Sequence, residues 1–159
     1  MKTFLALTCA VFFASSAAHA DITIGFVTSL SGPAASTGMP LVKGIEAALA
    51  YASVVGAEKL TIVRLDDASD PSSAARNARK LIEQEQVDVL MGSSTAPASI
   101  AIAAVANEMK VPLIALAPIS TARRENSDTW AICVIQPPSL IVKTITDHML
   151  ATASKTLPL

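Results

Sequence analysis

Apolar and polar positions along this chain switch between short β-branched runs and longer runs that repeat every three to four residues. Ile22–Thr28 (ITIGFVT), Leu60–Leu65 (LTIVRL), Val87–Met91 (VDVLM), Val111–Leu116 (VPLIAL) and Trp130–Ile135 predict five strands. Between the first two, Leu41, Ile45, Ala48, Leu49 and Ala52 mark the stripe of a helix that opens at Pro40, where a missing N–H costs nothing. A second helix follows Asp70-Pro71, an N-cap and first-turn pair. It places Ala74, Ala75, Ala78, Leu81 and Ile82 inward, with Arg76, Lys80 and Glu83 outward. An alanine-rich helix spans Pro97 to Met109, and a last one runs from Ser139 to Ala153. Strand–helix alternation with apolar strands predicts an α/β fold, a Rossmann-like parallel sheet with helices on both faces. Ligands of such sheets bind beyond the carboxyl ends of the strands. Four loops converge there: Ser29–Gly38, Asp66–Asp70, Gly92–Ala96 and Ala117–Thr121.

The first 20 residues stand outside that pattern. Lys2, the apolar run Phe4 to Ala14 and the small-x-small motif Ala18-His19-Ala20 before Asp21 read as a secretory signal. The apolar run is about half of what a membrane-spanning helix needs. Cys9 lies inside it, away from a lipoprotein cleavage point, and departs with it. The expected location is therefore periplasmic, and Cys133, left without a partner, is expected to be a small buried hydrophobe. Composition narrows the function. Hydrophobic residues at 52% and charged residues at 16% exclude disorder, and a net charge of −1 excludes nucleic-acid binding by bulk electrostatics. Two cysteines and two histidines leave little for a zinc site or a disulfide framework.

Catalytic and cofactor motifs are missing from the sequence. No G-x-G-x-x-G follows the first strand, and neither a P-loop nor a G-x-S-x-G elbow occurs. His148 lies in the last helix, far along the chain from Ser93 and Ser94, and reads as a partly exposed helix residue. The chain is thus expected not to be an enzyme and to need no cofactor. Asp66, Asp67 and Asp70 allow a hard-cation or phosphoacceptor reading; the plainer one has Asp70 capping a helix and the other two solvating a strand end. Gly92-Ser93-Ser94-Thr95 is the most informative segment. A strand-to-helix turn aims backbone N–H groups and the positive helix end outward, and three hydroxyls add donors suited to a carboxylate. An ordinary Ser/Thr cap bonded to its own backbone stands as an equal alternative. Across the cleft the Ala117 carbonyl faces an ammonium group in this reading, with hydroxyls from Ser120 and Thr121.

Ile22-Thr23-Ile24-Gly25 followed by Leu30-Ser31-Gly32-Pro33 resembles the opening of the leucine/isoleucine/valine-binding protein family, the type I periplasmic solute-binding proteins of ATP-driven importers. The resemblance continues through Gly44, Asp66-Asp67-Ala68-Ser69-Asp70-Pro71, Gly92 to Ser99 and Val111-Pro112-Leu113-Ile114, and reaches Gln136. It implies a two-lobed hinged protein that closes on a small ligand and delivers it to a membrane permease. It assigns the ligand carboxylate to Ser93, Ser94 or Thr95, and a carbonyl plus a hydroxyl or amide to Ala117, Pro118, Ile119 and Ser120. Pro118 has no N–H to give, Ile119 stands where a small polar residue is common, and Thr37 replaces an aromatic residue before Gly38.

With residues 1–20 read as a signal peptide, the resemblance makes 21–135 the first segment of an N-terminal lobe. Residues 136–159 are then the crossover and first helix of a truncated second lobe. Leu140, Ile141, Ile145 and Met149 are expected to line a helix with no sheet beneath it. The implied function is the substrate-binding component of an importer for branched-chain amino acids or related small carboxylates. An extracytoplasmic sensing module of a receptor is the alternative.

Overall fold

A computed structural model describes residues 21–55, 58–119, 129–136 and 138–152. The signal-peptide reading of residues 1–20 lies outside them, as do Ser120 and Thr121. The elements run in order β1 (Ile22–Thr28), α1 (Ala35–Tyr51), β2 (Val54–Val55), β3 (Glu58–Asp66), α2 (Pro71–Glu83), β4 (Val89–Gly92), α3 (Ala96–Met109), β5 (Leu113–Ala115), β6 (Ala131–Cys133) and α4 (Pro138–Thr152). The strands form one sheet in the order β2-β3-β1-β4-β5-β6. All neighbours are parallel except β2, which folds back antiparallel on β3 at an edge. That short hairpin is absent from the sequence expectation, because Val54-Val55 is too brief to show a period.

Side chains of β1 alternate between two differently covered faces. Val27 belongs to a buried cluster with Leu90, Leu113, Ala115 and Ala131 of the sheet and Ala74, Ala78, Leu81, Ala98, Ile102 and Ala106 of α2 and α3. Alanines on both helices let them lie close to each other and to the strands. The predicted inner face of α2 holds, with Ala75 and Ile82 half-buried at its margin. Arg79 and Glu108 join α2 to α3 at the surface through two hydrogen bonds, 3.0 and 2.5 Å. Phe26, on the opposite face and 1% exposed, pairs in register with Arg64 and Met91. There α1 faces the sheet across an open pocket of about 400 Å³ lined by Phe26, Val42, Ile45, Glu46, Leu49, Ile62 and Arg64. Helices on both faces of a mostly parallel sheet are the expected fold class.

The helix α1 starts at Ala35, five residues before the expected opening, so Pro40 lies inside it. Its buried positions are Gly38 and Val42, with Leu41, Ile45 and Leu49 half-buried; Ala48 and Ala52 are exposed, contrary to the expected stripe. Gly38 explains the early start. A Cβ there would stand 1.9 Å from the Ser29 carbonyl oxygen, so only glycine lets the first turn rest on the end of β1.

Asp70 caps α2 as expected, accepting 2.7 Å from the Ser73 N–H, with Pro71 inside the first turn. Hydrogen bonds from Ser73, aided by Arg76, hold the Asp70 carboxyl below the usual carboxylate range. A depressed folded pKa means that this contribution is present above the unfolded value and lost as pH falls through the folded one. Asp70→Ala is expected to lower Tm by roughly 5 °C at neutral pH. The gap to the parent should close below about pH 4, and a gap constant from about pH 7 to pH 2 in thermal melts would contradict the cap.

The helix α4 buries none of its residues, and Leu140, Ile141, Ile145 and Met149 are 46–54% exposed. His148 is exposed on the same helix. Cys133 is a free cysteine but only half-buried, not the small buried hydrophobe expected, because it closes the last strand of the sheet.

Candidate functional site

The strand order places the crevice. From β1 the chain passes through α1 to β3 on one side, then crosses back over β1 through α2 to reach β4 on the other. The adjacent carboxyl ends of β1 and β4 therefore send their loops to opposite faces, the switch point where such sheets open a cleft. Ser29 follows β1 there, Asp67 follows β3 and Ser93 follows β4, and all three are fully buried.

The Asp67 carboxylate joins them. One oxygen accepts from the Ser29 hydroxyl at 2.7 Å and from the Ser69 N–H at 2.9 Å. The other accepts from the Ser93 hydroxyl at 2.5 Å. Asp66, one residue earlier, ties the loop after β1: it accepts from Leu30 N–H at 2.8 Å, Ser31 N–H at 3.3 Å, Ser31 hydroxyl at 2.6 Å and Ala68 N–H at 2.8 Å. Partial burial pushes the Asp66 carboxyl up, but these four donors outweigh it and hold the group below the usual carboxylate range. Ser69 completes the clasp, donating to the Ser31 carbonyl and accepting from Ala34 N–H, both at 3.0 Å. The expectation that Asp66 and Asp67 merely solvate a strand end is corrected. Both are structural acceptors, because parallel pairing sets the end of β3 beside a loop rich in serine hydroxyls and free N–H groups.

The turn after β4 divides its three hydroxyls between two jobs. Ser93 is committed inward, its side chain to Asp67 and its N–H to Ser99 Oγ at 2.8 Å; the Ser99 hydroxyl returns to the Ser93 carbonyl at 3.2 Å. Ser94 is half-buried and accepts weakly from Ser29 N–H at 3.4 Å. Thr95 is the N-cap of α3 in an extended conformation, and its side chain makes no cap hydrogen bond. The self-capped alternative is thus not the arrangement at Thr95. Pro97 follows within the first turn, and the N-terminus of α3, the positive end of its dipole, lies at the carboxyl end of β4 beside the switch point.

The remaining expected residues surround this turn unevenly. The Leu116 N–H bonds the Gly92 carbonyl at 3.3 Å, which brings Ala117 beside the turn, but Ala117 is buried and its carbonyl lies 3.7 Å from Cys133 Sγ. Pro118 is half-buried, and Ile119 packs against the apolar core. Thr37 is exposed in the first turn of α1, its N–H bonded to Ala34 carbonyl at 3.0 Å. Asp67 and Ser29 are the residues that sequence reasoning missed. The available signal was an acid pair in a chain with few charges, followed by a turn and facing two serine-rich loops. Among the described residues no group of three His, Cys, Asp or Glu side chains stands close enough to hold a metal ion.

A family model described as periplasmic binding protein matches residues 21–157. The Leu/Ile/Val-binding protein of Escherichia coli (strain K12) is 36% identical over 104 residues, covering 62% of this chain and 28% of that protein. An extracellular ligand-binding receptor from Rhodopseudomonas palustris HaA2 superposes with a TM-score of 0.74 at 36% identity, covering 84% of this chain and 37% of that one. A solute binding protein of an ABC transporter from Rhodopseudomonas palustris BisB5, solved with 3,4-dihydroxybenzoic acid, gives 0.59 at 31% identity over 61% of this chain and 27% of that one. The chain therefore spans about a third of the length of these relatives.

Proposed function

The chain belongs to the periplasmic binding protein family, and from that premise we propose that it supplies the carboxylate-holding part of an extracytoplasmic solute-binding protein. The ligands are amino acids or related small carboxylates, and the protein hands them to the membrane permease of an ABC importer. The observation that carries this reading is the α3 N-terminus, which opens on the switch point without a cap bond from Thr95 and with Ser94 beside it. A carboxylate there meets backbone N–H groups, two hydroxyls and a helix dipole of the right sign. Related proteins named for leucine, isoleucine and valine, or solved with 3,4-dihydroxybenzoic acid, have ligands whose common group is a carboxylate.

In this reading Ser94 and Thr95 contact the carboxylate, and Ser93 holds the turn from behind. The Ala117 carbonyl and the Ser120 hydroxyl take an ammonium or hydroxyl group of the ligand. Pro118 and Ile119 shape the wall, and Thr37 stands at the rim in place of an aromatic platform. The test is amide NMR of the 159-residue chain with L-leucine, 3,4-dihydroxybenzoate and, as the uncharged-end control, L-leucinamide. Shifts are expected at Ser94, Thr95, Ala96 and Ala98 with the carboxylates alone. One surface on one lobe is expected to bind with Kd on the order of millimolar. An equal response to L-leucinamide, or shifts confined elsewhere, would refute the assignment.

A further inference from the structure

We propose that Asp67 is the positioning residue of this site: it sets the α3 turn against the loop after β1 by accepting from Ser93 and Ser29 at once. The inference rests on the carboxylate reading of the α3 N-terminus. Asp67 cannot meet a ligand directly, since it is fully buried and both carboxylate oxygens are occupied. Its three donors come from three different loops, and β1 lies between the strand that carries Asp67 and the strand that leads to Ser93. No other side chain among the described residues bonds the loops after β1, β3 and β4 together. The link reaches the ligand donors by two routes. Ser93 is the residue before Ser94, and Ser29, whose hydroxyl Asp67 holds, points its N–H at Ser94 Oγ.

The geometry also states what an amide would do at this position. The Ser69 N–H can only donate, so in Asp67→Asn the side-chain oxygen must stay on that side and the NH₂ group must face Ser93. A serine hydroxyl accepts as readily as it donates, so the turn can keep its place with that bond reversed. Asp67→Ala removes all three acceptor contacts. Asp66 is the internal control: it holds the loop after β1 through Leu30 and Ser31 but touches nothing in the β4–α3 turn.

The experiment compares Asp67→Ala, Asp67→Asn and Asp66→Ala in the full chain by amide NMR, first free and then with 3,4-dihydroxybenzoate. In the free chains Asp67→Ala is expected to displace the Ser94 and Thr95 resonances and speed their amide exchange about tenfold, while Asp66→Ala leaves both as in the parent. On titration Asp67→Ala should weaken the probe about tenfold and Asp67→Asn less than about threefold. Should Asp67→Ala not fold, Ser93→Ala cuts the same link from its other end and must move the same two resonances. Equal effects of Asp66→Ala and Asp67→Ala, or unmoved Ser94 and Thr95 resonances in Asp67→Ala or Ser93→Ala, would overturn the assignment. A parent chain that ignores the probe defeats the carboxylate reading alone, because the free-chain comparison still decides whether Asp67 sets the turn.

Discussion

Gly92→Ala is expected to yield a chain that does not fold cooperatively. The backbone at Gly92 has φ +130°, a region that side chains with a Cβ rarely enter. A Cβ there would sit 1.9 Å from the Val27 carbonyl oxygen, with the backbone carbonyl carbon behind it at 3.0 Å. Neither atom can move without separating β4 from β1, whose pairing ends at Val27↔Gly92. The cost exceeds about 4 kcal/mol, a large share of the roughly 5–15 kcal/mol that holds a typical domain together. Gly44→Ala is the matching control, since a Cβ at that helical position meets nothing within 4 Å and should stabilise by roughly 0.5–1 kcal/mol. Circular dichroism melts of the two variants decide the matter: a Gly92→Ala transition within about 5 °C of the parent would show that the β1–β4 contact yields.

Leu90→Ala should cost about 3–4 kcal/mol, the second largest effect expected of a single substitution. Leu90 is fully buried in the middle of the sheet, in register with Gly25 on one side and Leu113 on the other. It belongs to the cluster closed by Leu81 and Ile102 from α2 and α3. Around those two side chains the helices meet the sheet largely through alanines, which are too short to fill a void. Urea unfolding should show a lower midpoint with an unchanged slope. Ile132→Ala on the last strand, where the side chain is 69% exposed, should change stability by less than about 0.5 kcal/mol. A Leu90→Ala loss as small as that of Ile132→Ala would mean that the cluster is not the centre of the fold.

The parts of the fold legible in the sequence were those written in period. Strand β1 coincides with the apolar run Ile22–Thr28, and α2 shows its buried and exposed faces residue by residue because Asp70-Pro71 marks its start. Strand β3 extends beyond its expected start, since Glu58 and Lys59, which pair with Val55 and Val54 of β2, carry no apolar signal. The start of α1 is misplaced in the sequence reading because Pro40 is a strong local cue for a first turn, whereas the packing of Gly38 on Ser29 is a tertiary fact. The site divides in the same way. Ser94 and Thr95 at the head of a helix follow from the order of elements. The burial of Ser93 and Asp67 does not, because neither polar residue announces its partner, and the two meet only when β3 and β4 settle on either side of β1. An acid pair reads as a solvated strand end until that strand order is known.

The clasp made by Asp66, Asp67 and Ser69 bears on the entropy of recognition. Loops at a sheet's carboxyl edge are ordinarily the segments whose freedom a ligand must remove, and that loss subtracts from every contact it makes. Here the loop after β1 is held by Leu30 and Ser31 bonding to Asp66 and by Ala34 bonding to Ser69. The turn before α3 is held in turn by the bonds of Ser93 to Asp67 and Ser99. Their ordering is completed when the chain folds. In the reading proposed above, a small anion at the head of α3 would meet donors that already share one orientation, and its modest contact area would be less offset by the cost of freezing them.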